Sequence, residues 1–325
     1  MLINIIQLVI GIALLAFSGE RFIEASALLA KRLNVSPLII GLVIVGFGTS
    51  APELIVSTIA AIYGNYGIAV GNAIGSNITN VALVIGLTAL VKPLAVQSNI
   101  LKREFPILFA AMLAVFYLFY EGVISRADGV LMCFGMAIII YGFYLASRNK
   151  PNEQDALTKE IIEQDQMLAK KMSHKKMIFW LIFGLILLPV SADILVRGAT
   201  GIAAFFGVSQ VVIGLTVVAF GTSLPELAAT IISALKDEPD IAVGNVIGSN
   251  LFNLLMVLGV PAIIHPLPID KTVLYRDYPV MVGLSVILFL MCFGKGKGLI
   301  KRWHGLGLVA IYVVYIVSLV VVFYR

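Results

Sequence analysis

Charge is what this 325-residue chain has least of: 13% of its residues are Asp, Glu, Lys or Arg, against 60% hydrophobic. Soluble domains run at about 25% charged and about 45–50% apolar. So few charges cannot cover that much apolar surface, and a water-soluble fold is excluded. Cysteine is nearly missing. Cys133 and Cys292 both fall inside long apolar stretches, so there is no disulfide framework and no ligand spacing; we read them as small apolar fillers. The three histidines, His174, His265 and His304, lie in or beside connectors and form no cluster. No Ser/His or Cys/His arrangement is available for nucleophilic catalysis. The stretch 294-GKGKG-298 lacks the spacing of a phosphate loop.

What is present is apolar sequence in runs of roughly 18–25 residues, enough to cross about 30 Å of hydrocarbon. Ten such spans are predicted: 2–30, 36–62, 68–91, 104–121, 127–147, 176–203, 208–235, 241–264, 274–293 and 303–324. They are predicted as helices, because backbone polar groups in lipid must bond within their own segment. The first lacks a basic leader and is too long for a signal-peptide core. The net charge of +5 does not point to nucleic acid. With the N-terminus outside, the inward connectors hold 17 Lys and Arg and the outward side 5. That bias predicts both termini outside and residues 148–175 in the cytoplasm. The basic run 170-KKMSHKK-176 reads as a topology determinant touching anionic lipid.

The chain is written twice. The stretch 46-GFGTSAPE-53 returns as 219-AFGTSLPE-226, and 68-IAVGNAIGSNITNVALVIG-86 returns as 241-IAVGNVIGSNLFNLLMVLG-259. Every anchor is displaced by 173, and residues 37–86 agree with 210–259 at 25 of 50 positions. This is an internal duplication. Five spans per half is an odd number, so the second half enters the membrane from the opposite side. The fold class is therefore an all-α membrane protein of ten transmembrane helices in two inverted five-helix repeats, an architecture of transporters. The expected divisions are 1–147 (motifs 36–91), a linker at 148–175 too short for a regulatory domain, and 176–325 (motifs 209–264).

Both motifs carry polar groups that lipid would not tolerate without a purpose. Pro52 and Pro225 cannot donate to the carbonyls of Gly48 and Gly221, which opens the backbone inside the bilayer. One residue on stand Glu53 and Glu226. A charged carboxylate there needs a counter-charge. No Lys or Arg occurs in spans 2, 3, 7 or 8 until Lys236, at the end of span 7. A bound cation is left to supply the charge. Asn72, Ser76 and Asn80 share one helical face, as do Asn245, Ser249 and Asn253. Gly71, Gly75, Gly244 and Gly248 make small ridges for close helix approach. Thr49, Ser50, Thr222, Ser223, Ser76 and Ser249 add hydroxyls, Asn80 and Asn253 add amides, and freed carbonyls complete an all-oxygen set. Hard ligands of that kind suit Ca²⁺, which takes about 6–8 oxygens, and also Na⁺. Glu20 and Asp193 correspond as well, and are read as interfacial or packing residues.

These motifs resemble the two alpha repeats of the sodium/calcium exchanger family, within the cation/calcium antiporter superfamily, over essentially the whole chain. The resemblance implies Ca²⁺ held by Glu53 and Glu226 with the carbonyls of Thr49 and Thr222. It implies sodium sites made by the same glutamates with Ser50, Ser76, Ser223, Ser249 and the carbonyls of Gly46 and Ala219. Asn80 and Asn253 would line the centre, and spans 1 and 6 would slide across the core. Some potassium-dependent relatives and an archaeal one carry Asp where this chain has Asn253, which tilts against potassium dependence. The implied activity is electrogenic antiport of Na⁺ against Ca²⁺ at the cell membrane (the inner membrane, in a Gram-negative source). No cofactor and no obligate protein partner are implied. The rivals are K⁺- or H⁺-coupled Ca²⁺ exchange, a passive cation channel and an intramembrane enzyme. A general acid/base role for the two glutamates keeps the last open.

Overall fold

The computed structural model describes residues 1–33, 37–96, 98–148, 172–206, 219–292 and 298–323. The helices are α1 (Leu2–Leu33), α2 (Gly41–Thr49, entered through Pro37–Ile40), α3 (Ala51–Ile62), α4 (Tyr66–Val91), α5 (Ser98–Tyr120), α6 (Arg126–Arg148), α7 (His174–Phe205), α8 (Leu224–Leu235, preceded by the turn Ala219–Thr222), α9 (Pro239–Ile264), α10 (Val273–Cys292) and α11 (Arg302–Phe323). Among the described residues, eight helices are long and apolar enough to cross a membrane, or nine if α2 and α3, bent by 47°, count as one span. Of the expected stretch 208–235, residues 208–218 lie outside the described residues. So do most of the linker, residues 149–171, and most of the stretch 294–298.

Several helices outrun their apolar limits. α5 begins at Ser98 instead of 104, and α1 continues to Leu33. Charged side chains end a hydrophobic run without ending backbone hydrogen bonding, because Lys and Arg reach water from the interface. At about 1.5 Å per residue, the 32 residues of α1 extend about 48 Å, longer than the apolar layer is thick.

The layout is a buried pair inside a shell. α4 and α9 are the innermost spans, with 78% of each apolar window buried, against 11% for α11. Large apolar side chains on the outward faces of α1, α5, α6 and α11, such as Leu113, Phe134 and Val314, remain exposed, as lipid-facing positions should. Glycine sets the closest contacts. A Cβ on Gly41 would stand 2.6 Å from the Ile241 carbonyl oxygen, and one on Gly248 would enter the backbone of Leu42, so α2 and α9 meet backbone to backbone. α1 and α7 do the same at Gly11 against Leu195 and Gly198 against Leu8. Arg32, at the end of α1, bonds the His174 ring and the Met172 carbonyl at the start of α7.

Two short strand pairs close the shell. β1 (Leu94–Val96) pairs antiparallel with β4 (Gly298–Ile300), and β2 (Val123–Ile124) with β3 (Leu267–Pro268). Each pair joins one repeat to the other. The 23-residue α5, about 35 Å long, separates β1 from β2, so the pairs lie at opposite ends of the molecule. Leu94 and Leu267 are 173 apart. The same point of the duplicated sequence thus lies on opposite faces, as an inverted repeat requires.

Candidate functional site

The site starts at two matching breaks. Ser50 ends α2 with φ −85° and ψ 7°, and Ser223 precedes α8 with φ −89° and ψ 7°. Pro52 and Pro225 occupy the first turns of α3 and α8. Proline is at home there, where its missing N–H is not needed, and it prevents the preceding helix from running through. Each break brings a glutamate into the first turn, and both Glu53 and Glu226 are fully buried. Asn80 and Asn253 mark a second pair of irregularities. Each opens a wide π-helical stretch, Asn80–Ile85 and Asn253–Val257. Such widened turns interrupt the regular ladder and gather at functional sites.

Hydrogen bonds tie the two halves together here. The Ser50 hydroxyl donates to Glu226 Oε1 at 2.9 Å. Thr49 Oγ1 lies 3.1 Å from Asn245 Oδ1 and 3.4 Å from Ser249 Oγ. Ser249 donates to the Gly46 carbonyl at 3.3 Å. The same carbonyl accepts the Ser50 backbone N–H at 3.1 Å. Asn80 Nδ2 donates to Asn250 Oδ1 across the repeats at 3.2 Å. Glu53 and Glu226 each open a helix, α3 and α8, one from each repeat.

Behind the glutamates, a polar brace repeats. Asn72 Nδ2 donates to the Glu53 carbonyl at 3.0 Å and to Ser57 Oγ at 2.9 Å. Asn245 Nδ2 donates to the Glu226 carbonyl at 3.3 Å and to Thr230 Oγ1 at 2.8 Å. Ser57 and Thr230 were missed by sequence reasoning, and Asn72 and Asn245 were noted without a role. The signal was present, since both pairs sit at the 173-residue offset and keep their hydrogen-bonding type.

Of the residues singled out in sequence, Gly46, Thr49, Ser50, Glu226 and Ser249 are joined by direct contacts. Glu53 is buried in the first turn of α3, and Asn80 reaches the second repeat through Asn250. Ser76, Ser223 and Asn253 are buried on the same elements. Thr222 is half-buried, and Ala219 opens the turn before the second break. A further property unites the group. Glu53 Oε1 and Oε2, Glu226 Oε2, Ser223 Oγ, Asn80 Oδ1 and Asn253 Oδ1 are buried without a hydrogen-bond partner. Buried carboxylate oxygens left unsatisfied are costly, and proteins keep them only where something else answers the charge. Among the described residues no cluster of three or more His, Cys, Asp or Glu side chains occurs. Among the described residues, two carboxylates stand among neutral oxygens at the centre.

The remaining candidates lie elsewhere. Glu20 meets Lys236 at 3.3 Å, and Asp193 meets Arg197 at 2.7 Å, both in partly exposed ion pairs. His265 stacks on Tyr66, and His304 lies against Trp303. Cys133 and Cys292 are free thiols.

Comparison with known proteins agrees with this geometry. The sodium/calcium exchanger protein family matches residues 3–145 and 176–321. CaxA of Alkalimonas amylolytica, named as a candidate antiporter, is 45% identical over 297 residues, covering 91% of this chain and 92% of its own. The sodium/calcium exchanger MaX1 of Methanosarcina acetivorans is 32% identical over 347 residues, covering 98% of both chains. The solved structure of the sodium–calcium exchanger NCX_Mj soaked with 2.5 mM Na⁺ and 0.1 mM Ca²⁺ superposes with a TM-score of 0.80 at 31% identity, covering 97% of this chain and 98% of that one. The chain belongs to the sodium/calcium exchanger family and is a multi-pass membrane protein.

Proposed function

We propose that this member of the family is a secondary active antiporter that exchanges Na⁺ for Ca²⁺ at one oxygen-lined site between its two repeats. The observation that carries the reading is the buried pair Glu53 and Glu226, one from each repeat, with three of their four carboxylate oxygens lacking a protein donor. Two ionised carboxylates make a centre of charge −2. One Ca²⁺ or two Na⁺ neutralises it, so the two cargoes compete for the same oxygens. Glu53, Glu226 and the carbonyls of Thr49 and Thr222 would hold Ca²⁺. The same glutamates with Ser50, Ser76, Ser223, Ser249 and the carbonyls of Gly46 and Ala219 would hold Na⁺, and Asn80 and Asn253 would line the middle. Both sets are oxygen-only, as hard cations require.

Exchange follows from electrostatics. A centre emptied of cations leaves bare charges in a low dielectric, which opposes any passage of the site from one face to the other. Only the loaded protein crosses easily, so each cargo must leave by trading places with the other. Three Na⁺ against one Ca²⁺ would move one net charge, and the membrane potential would add about 2.3 kcal/mol per 100 mV. We place the chain in the cell membrane with ten spans in two five-helix repeats, the halves 1–147 and 176–325, the linker 148–175 in the cytoplasm and both termini outside. Ca²⁺ extrusion is the direction proposed. Neither a cofactor nor an obligate protein partner enters this scheme.

The test is radioactive Ca²⁺ uptake into proteoliposomes loaded with Na⁺, with and without external K⁺ and under an imposed pH gradient. Uptake driven by the outward Na⁺ gradient and indifferent to K⁺ is expected. Uptake that survives collapse of the Na⁺ gradient but follows the pH gradient would transfer the site to proton coupling.

A further inference from the structure

We infer that Asn245 is a positioning residue. It fixes the backbone at Glu226 and bonds Thr49 of the first repeat, so that ligand groups of the two repeats act as one unit. The inference rests on the exchange reading above.

Asn245 is fully buried on α9, one turn before Ser249. Its hydrogen bonds fix which way its amide faces. The Glu226 carbonyl can only accept, and it lies 3.3 Å from Nδ2. The Thr230 hydroxyl gives its single proton to that same carbonyl at 2.7 Å, so toward Asn245 it too can only accept, at 2.8 Å from Nδ2. Both acceptors belong to the second repeat, and together they use both amide protons. The Oδ1 end is then left to face the first repeat, where Thr49 Oγ1 stands at 3.1 Å.

This gives the Thr49 hydroxyl an acceptor in the other repeat. A hydroxyl has one proton and two lone pairs. The Gly46 carbonyl and Ser249 Oγ are farther away at 3.4 Å, and the Glu226 carboxylate is a further neighbour of the same hydroxyl. Asn245 thus bonds both the backbone and a hydroxyl neighbour of Glu226. The partner asparagine differs. Asn72 braces the Glu53 carbonyl and Ser57 within its own repeat, but the Ser57 hydroxyl donates to the Ala69 carbonyl at 3.2 Å and not to that of the glutamate. The brace on the second repeat is therefore the more completely determined one, and it reaches across.

The experiment is a double-mutant cycle on full-length protein purified in detergent, reading thermal unfolding against added CaCl₂ for wild type, Asn245→Ala, Thr49→Val and the double variant. Each single change is expected to raise the half-effective Ca²⁺ concentration about tenfold, the scale of a lost buried hydrogen bond. The double variant is expected to be no worse than the worse single, because both remove the same bond between the repeats. A residue that merely filled space would give a double variant whose loss is the product of the two. That product, or an Asn245→Ala protein with unchanged Ca²⁺ response, overturns the inference while leaving exchange intact. A wild type indifferent to both Ca²⁺ and Na⁺ overturns the exchange reading and this inference together. Asn245→Ser takes the place of the alanine variant in the same cycle if the latter does not fold.

Discussion

The two halves of the centre share a motif and differ in what they do with it. Ser50 of the first repeat holds Glu226, whereas Ser223 and both oxygens of Glu53 have no hydrogen-bond partner. Backbone geometry does not explain this, because the two breaks agree within a few degrees. Nor does burial, since both glutamates are fully enclosed. The difference lies in how the halves sit against each other. A carrier with perfectly equal halves would present its site to both sides or to neither. Alternating access from a duplicated sequence demands that equal residues be unequally bonded in any one state.

The hardest way to break the comparison is to remove the carboxylates one at a time. Glu53→Gln and Glu226→Gln should each abolish Na⁺-driven Ca²⁺ uptake, by more than about a hundredfold, since a centre of charge −1 cannot balance either cargo. Uptake that persists in either variant would show that the charges are not shared. A subtler break compares the serines. Ser50→Ala removes a hydrogen bond to a charged group, worth about 1.5–3 kcal/mol, and should raise half-saturating Ca²⁺ at least about tenfold. Ser223→Ala should raise it less than about threefold. Equal effects in the uptake assay would mean that the bonded and unbonded roles swap within the cycle. The smallest effect belongs to the rim. Lys236→Ala removes the partly exposed pair with Glu20. It should change uptake kinetics less than about fivefold, in keeping with the ~0–1 kcal/mol of such pairs.

The sequence shows much of this directly. The 173-residue offset reveals the duplication, odd parity gives the inversion, and Pro52 and Pro225 mark the breaks. Glu53 and Glu226 stand out because lipid makes a lone charge conspicuous. Legibility fails where polarity is ordinary. Asn72 and Asn245 hold backbone carbonyls through hydrogen bonds between neighbouring helices, and no periodicity within one helix reports on the next. The widened turns at Asn80 and Asn253 change the ladder by a single residue, which leaves hydropathy untouched. The strand pairs at Leu94–Val96 and Val123–Ile124 are two or three residues long and find their partners about 200 and 144 positions away. The start of α5 was misplaced because Lys102, Arg103 and Glu104 look like a connector while remaining helical.

The strand pairs carry one more consequence. Each links opposite halves and never a half to itself, so it needs no peptide bond between them. Two copies of a half-length ancestor, inserted in opposite directions, could have been laced at both faces by the same strands. Fusion into one polypeptide would then have added equal supply and fixed orientation rather than a new scaffold. It would also have freed each copy to drift, as Ser57 and its counterpart Thr230 have done.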